Sequence, residues 1–134
     1  MNDDDSTAVT LFFGDGTRRF NLSADVMPEL EAQCGGIGAL VYRFHARPNV
    51  SFTFADLLTV LRLGLIGGGT PPQVAARIVD TYAARRPVVE SFPVALAVLN
   101  SKWFGAAATE ADIAQAEADA KTDDALSNSI AEGN

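Results

Sequence analysis

A chain of 134 residues, 48% hydrophobic and 20% charged, fits one domain whose core needs no disulfide or metal. Its single cysteine, Cys34, excludes an intramolecular disulfide, and with one histidine, His45, there is no set of three or four zinc ligands. The net charge of -7 sits at the ends, while Ser6 to Phe104 holds nine basic and seven acidic residues in pairs such as Arg18-Arg19 rather than a stripe, so no nucleic-acid partner is expected.

The opening residues, MNDDDST, are polar and acidic, the opposite of a signal peptide, and predict a flexible acidic arm over 1–7. With nothing directing the chain to a glycosylating compartment, the sequons at Asn21 and Asn49 carry no weight. A hairpin follows. AVTLFF (Ala8 to Phe13) and TRRFNL (Thr17 to Leu22) flank Gly14-Asp15-Gly16, and Gly16 is the expected acceptor of positive φ. Phe20 and Leu22 alternate with Arg19 and Asn21, as in a ribbon with one covered face. Phe12 and Phe13 are adjacent and must point to opposite faces, so at least one needs a cover beyond the hairpin.

Ser23 is the candidate cap of a first helix that ends at Gly35-Gly36, although Pro28 moves its start toward Met27. Ile37 to His45 predicts a second helix, stopped by Pro48. Thr53 with Asp56 approximates a capping box for a third, on which Phe54, Leu57, Leu58, Leu61 and Leu65 form a stripe. Val60, Leu63 and Ile66 widen that stripe well beyond one face, and Gly67-Gly68-Gly69 reads as a flexible joint. The glycines lack the Gly-Lys-Ser/Thr ending of a phosphate loop. Thr70 is the expected cap of the next helix, with Pro71 first and Gln73 third, and Val74, Ile78 and Tyr82 facing inward. Pro87 and Pro93 bracket the entry to a last core helix ending near Phe104, with a main stripe of Ala95, Leu96, Leu99 and Trp103.

Beyond Phe104 aromatics vanish and seven acidic residues face Lys121 alone. Thr109 and Asp112 suit a weak helix to Ala120, but the segment has little apolar area with which to order itself. The fold class is therefore α+β, mostly α: an N-terminal β-hairpin packed on a small bundle of about five helices, with a disordered or weakly helical acidic C-terminal tail. The domain limits are 1–7 for the arm, 8–104 for a single globular domain and 105–134 for the tail.

Catalysis has little to work with. Cys34 and His45 lie on neighbouring helices, but Glu29 and Glu31 would raise a nearby thiol, and a packed free cysteine is the commoner arrangement. No enzyme and no cofactor are expected. The longest strongly apolar stretch, Phe54 to Ile66, contains Asp56 and Arg62 and is too short for a bilayer, so no membrane partner is expected either. What remains is apolar surface on the third and last core helices in excess of what one face needs, which fits equally a self-contained bundle that packs it away and a protein partner that covers it.

The order LFFGDGTRRFNL, SADVMPELEAQCGG, GALVYRF and FTFADLLTVLRLGLIGGG resembles a family of small phage tail proteins found also in gene transfer agents. Its members are described as tail assembly chaperones or as tail tube proteins. The likeness runs from Phe12 to Phe104, and Pro28 inside the Glu-Leu-Glu helix departs from the pattern. The resemblance implies a non-enzymatic chaperone in the host bacterial cytoplasm. Such a protein binds the tape measure protein, helps recruit tail tube protein and self-associates. A structural tail component retained in the particle is the alternative, and a small adaptor or regulatory protein a second one. Candidate contact residues, chosen for apolar bulk, are Leu58, Leu61, Leu65, Trp103 and Phe104.

Overall fold

In a computed structural model the described residues are 6–46 and 49–132, with side chains placed as far as residue 119. Most of the arm expected over 1–7, and the helix stop expected at Pro48, lie outside them. The element order is β1 (Ala8–Phe13), β2 (Gly16–Asn21), α1 (Met27–Cys34), α2 (Ile37–His45), α3 (Phe54–Gly67), α4 (Pro72–Val79), a π-helical turn (Asp80–Ala84), α5 (Val88–Phe104) and α6 (Ala106–Glu132). This is the α+β, mainly helical class, with the hairpin laid on the helices.

β1 and β2 pair antiparallel in a register that opposes Phe13 to Gly16, Leu11 to Arg18 and Val9 to Phe20. The turn is therefore the two residues Gly14 and Asp15, and Gly14, not Gly16, takes positive φ (74°). Glycine at the first central position with a normal second residue is the type II′ pattern, whose twist suits a hairpin. Gly16 is freed to join the strand. Val9, Phe13, Phe20 and Leu22 fill the inner face and are buried, while Phe12 points the other way and stays exposed. The adjacent phenylalanines thus divide as the pleat requires.

α3 is the central element. Its capping box is complete: the Asp56 amide donates to Thr53 Oγ1 at 3.0 Å, and the Thr53 amide donates to Asp56 Oδ2 at 3.0 Å. β2, α1, α4 and α5 all pack against it. Leu57, Val60, Leu61, Leu63 and Leu65 are consequently buried over more than half of the circumference, leaving Leu58, Arg62 and Ile66 on the partly exposed side. At about 1.5–3 kcal/mol for each large apolar side chain buried, this helix contributes much of the driving force of folding. Its wide apolar surface is core.

The triple glycine has a packing reason rather than a hinge role. A Cβ at Gly67 would run into the carbonyl oxygen of Asn21, and one at Gly68 into that of Arg19. The end of α3 thus lies directly against the outer edge of β2, and Arg19 Nη1 donates to the Gly68 carbonyl at 3.1 Å.

Three helix starts are set by proline. α1 begins at Met27, as Pro28 requires, so its cap is Val26, and Ser23 is a buried residue whose carbonyl accepts the Val26 amide. α4 is shifted by one residue: Pro71 occupies the cap position and Pro72 the first turn, without a capping bond from Thr70. Either proline of a Pro-Pro pair satisfies the first turn, which needs no N–H. α5 begins at Val88 and runs through Pro93. The carbonyl of Val89, which Pro93 leaves without its helical donor, belongs to a residue 76% exposed, where losing that bond costs less than in the interior.

On α5 the core residues are Ala95, Val98 and Leu99, with Leu96 only half-buried. The π turn shifts the face of α4, so Ala83 is buried and Tyr82 half-buried, its ring edge-on to Phe13 at 6.4 Å. Phe44, Phe52 and Phe92 stack at 4.4, 5.2 and 6.0 Å and tie α2 to α5. The acidic segment from Ala106 to Glu132 is one continuous helix, and its first turns press Ala106 and Thr109 against the domain.

Candidate functional site

Cys34 and His45 are not brought together as a reactive pair. His45 Nε2 is 2.7 Å from Asn100 Oδ1 on α5. Cys34 is buried beside Asp56, Thr59 and Arg43, and burial, with the Asp56 charge second, pushes its thiol up to about 11. The thiol stays protonated at neutral pH and is a poor nucleophile.

What surrounds it is structural. Arg43 donates through Nε and Nη2 to Asp56 Oδ2 at 3.2 and 3.1 Å, and through Nη2 to the Cys34 carbonyl at 2.8 Å. Burial, the largest influence on Asp56, pushes its carboxyl up, but the Thr53 amide and the Arg43 guanidinium together hold it below 3.8. The cluster joins α1, α2 and α3. Among the described residues no group of His, Cys, Asp or Glu is arranged to hold a metal ion, and no helix is long and apolar enough to cross a membrane.

The proposed contact residues separate sharply. Leu61 and Leu65 are fully buried in the core of α3 and have no surface to offer. Leu58 is half-buried. Trp103 is 51% exposed and Phe104 61% exposed, so the stripe drawn through Trp103 ends at the surface. Trp103 stands at the seam with α2, since a Cβ at Gly38 would lie 4.0 Å from its ring. Tyr42, one helical turn beyond Gly38 on the same face, is also exposed. Phe104 lines a hollow of about 470 Å³ with Ser6, Ala8 and Ala106.

The residue missed among the candidates is Phe12, 68% exposed on β1. It separates two hollows. One, of about 460 Å³, is bounded by Phe13, Tyr82, Arg86, Glu90 and Val94. The other, of about 310 Å³, lies between Val9 to Phe12 and the α6 residues Glu110, Ile113, Ala114 and Glu117. The Phe-Phe pair was the signal for it. The surface is thus aromatic and strand-edged, and suits protein contact.

A family model described as "Phage tail tube protein, GTA-gp10" matches residues 6–105, a span that takes in the whole hairpin-and-helix region from β1 to α5. The chain belongs to that family. It is a phage-type tail protein, and the family is a structural one rather than a family of enzymes. Neither the curated proteins nor the solved structures contain a match. The matching span stops at Gly105, where α5 ends and the acidic helix begins.

Proposed function

We propose that this tail protein is a structural component of a phage-type tail, retained in the particle and held there by protein–protein contacts that include self-association. The family match over residues 6–105 carries the reading. The exposed aromatics Trp103, Phe104 and Tyr42 support it, since aromatic side chains with little rotamer freedom are efficient anchors of an interface. Trp103, Phe104 and the half-buried Leu58 remain the contact candidates, with 8–104 as the assembling domain and 105–134 as an acidic appendage.

The second reading is a tail assembly chaperone that binds the tape measure protein in the host cytoplasm and leaves before the particle is complete. The extended acidic helix favours it, because seven negative charges on one segment disperse a complex by self-repulsion. Quantitative mass spectrometry of purified particles decides between the two. A tail component is present in fixed ratio to the other tail proteins. Absence from particles, with co-purification of the chain and the tape measure protein from assembling cells, would replace the structural reading by the chaperone one.

A further inference from the structure

The hairpin has two outer edges, and the fold treats them differently. The edge of β2 is covered by the glycine end of α3, whose closeness to the carbonyls of Arg19 and Asn21 shows where those groups point. The two-residue turn makes Phe13 and Gly16 a hydrogen-bonded pair, so Leu11 with Arg18 and Val9 with Phe20 also exchange bonds across the ladder. Thr10 and Phe12 therefore direct their N–H and C=O groups away from β2. No hydrogen bond from the backbone of either residue to a neighbouring element is present among the described residues. An unpaired strand edge is a template for another strand unless something blunts it. Here no proline, bulge or charged side chain lies on β1, and α6, which packs beside it, stands off across a hollow of about 310 Å³ without a backbone bond to it among the described residues.

The two hollows beside Phe12 run along this edge, from Val9 to Gly14. Their walls carry one sign of free charge. Arg86 is neutralised by Glu90 through a two-pronged pair at 2.9 and 3.0 Å. Glu110 and Glu117, seven residues apart and on one face of α6, make no ion pair among the described residues. Ile113 and Ala114 lie between them as an apolar floor.

We infer that the free edge of β1 accepts an extended segment of a partner protein, added antiparallel as a third strand, with basic side chains facing Glu110 and Glu117 and apolar ones entering the hollows. The inference rests on the reading of the chain as a protein-binding tail component and names the chemistry of one partner. Backbone pairing supplies affinity in such a mode, and alternate side chains supply selectivity. A second copy is a poorer occupant, because pairing β1 with β1 would bring two acidic α6 walls together. Asp3, Asp4 and Asp5 make the chain's own amino-terminal segment equally unsuitable.

The test uses the full purified chain and three fluorescein-labelled eight-residue peptides: alternating Lys and Val, alternating Glu and Val, and the Lys-Val peptide N-methylated along one edge. The Lys-Val peptide should bind, with the Glu-Val and N-methylated peptides at least about tenfold weaker, the loss expected from one to two hydrogen bonds or one charge contact. Hydrogen exchange at the Thr10 and Phe12 amides should slow on binding. A Glu110→Lys, Glu117→Lys double variant should reverse the charge preference. Thr10→Pro, checked for retained helix by circular dichroism, should weaken binding about tenfold, since it deletes one outward N–H. Charge preference without amide protection overturns strand addition, as does absence of binding. Protection of both amides without peptide, growing with protein concentration, makes the occupant a second copy. These outcomes are independent of whether the chain is found in particles, so failure here and failure of the structural reading are separately visible.

Discussion

The close approach of α3 to β2 is most sharply tested at Gly67. Replacing a helical glycine by alanine normally stabilises by about 0.5–1 kcal/mol, because the unfolded chain loses freedom and the helix gains a better former. At Gly67 the new methyl would occupy the space of the Asn21 carbonyl oxygen, with Ser23 Oγ also 3.1 Å away. The obstacle is backbone held in a hairpin, so relief requires moving β2 off α3 or unwinding the last turn. Overpacking of this kind costs about 1–3 kcal/mol or more, which exceeds the propensity gain. Gly67→Ala should therefore destabilise by roughly 1–2 kcal/mol net.

Two other glycines calibrate the experiment. At Gly64 the nearest atoms are Val98 Cγ1 at 3.1 Å and Phe20 Cδ1 at 3.2 Å, side-chain atoms able to yield by tenths of an ångström, so Gly64→Ala should fall near neutral. At Gly38, inside α2, only the Trp103 ring lies near, at 4.0 Å, and Gly38→Ala should stabilise by about 0.5–1 kcal/mol. Urea unfolding followed by circular dichroism ranks the three, provided the slopes agree. If Gly67→Ala proves as stable as Gly38→Ala, α3 does not lie against the β2 edge and the account of the glycine run is wrong.

Three further outcomes follow from the interior. Asp56→Asn removes a charged acceptor from the Arg43 pair and weakens the α3 cap; with the Arg43 side chain 25% exposed to water, the loss should be about 2 kcal/mol, less than for a fully buried pair. Because the folded-state pKa of Asp56 is held below its ordinary 3.8, its contribution is complete above that value and lost as pH falls through the folded one. The stability gap between wild type and Asp56→Asn, measured by urea titration, should accordingly close below about pH 4, and a gap unchanged to pH 2.5 would contradict the pairing. Cys34, with its thiol pushed up to about 11 from an ordinary 9.0, should react with a disulfide reagent at pH 8 at least about a hundredfold more slowly in the native protein than in urea. Ser91 Oγ is buried without a hydrogen-bond partner among the described residues, so Ser91→Ala should raise stability by about 1 kcal/mol in the same denaturation assay, and a loss would reveal a hidden partner.

Local chemistry was legible in the sequence, and tertiary cause was not. The Thr53 and Asp56 box and the ends of α2 follow from residues within four positions of one another, and the structure has them as expected. The start of α4 missed by one because Pro71 and Pro72 are equivalent to a reader who sees only the missing N–H. The glycine run was read as a joint because its reason, the carbonyls of Arg19 and Asn21, lies more than forty residues earlier in the chain. Pro93 looked like a boundary because proline interrupts helices, yet its cost is smaller where the residue whose carbonyl it abandons is exposed.

The same limit governs the binding surface. A helix apolar around more than half its circumference is consistent with surplus surface or with a central position, and composition alone does not separate them. In α3 the position is central, which removes Leu61 and Leu65 from the list of contacts. Once one helix is enclosed by β2, α1, α4 and α5, those elements spend their inner faces on it and are left one-sided. Apolar residues that cannot fit the enclosure then collect where an element runs past it. Trp103 and Phe104 end α5 beyond its last buried turn, and Phe12 is forced outward by the pleat that buries Phe13. Burial of α3 and exposure of these three rings are thus consequences of one packing arrangement. It is the ends and edges of the domain, rather than its most apolar helix, that are available to hold another protein.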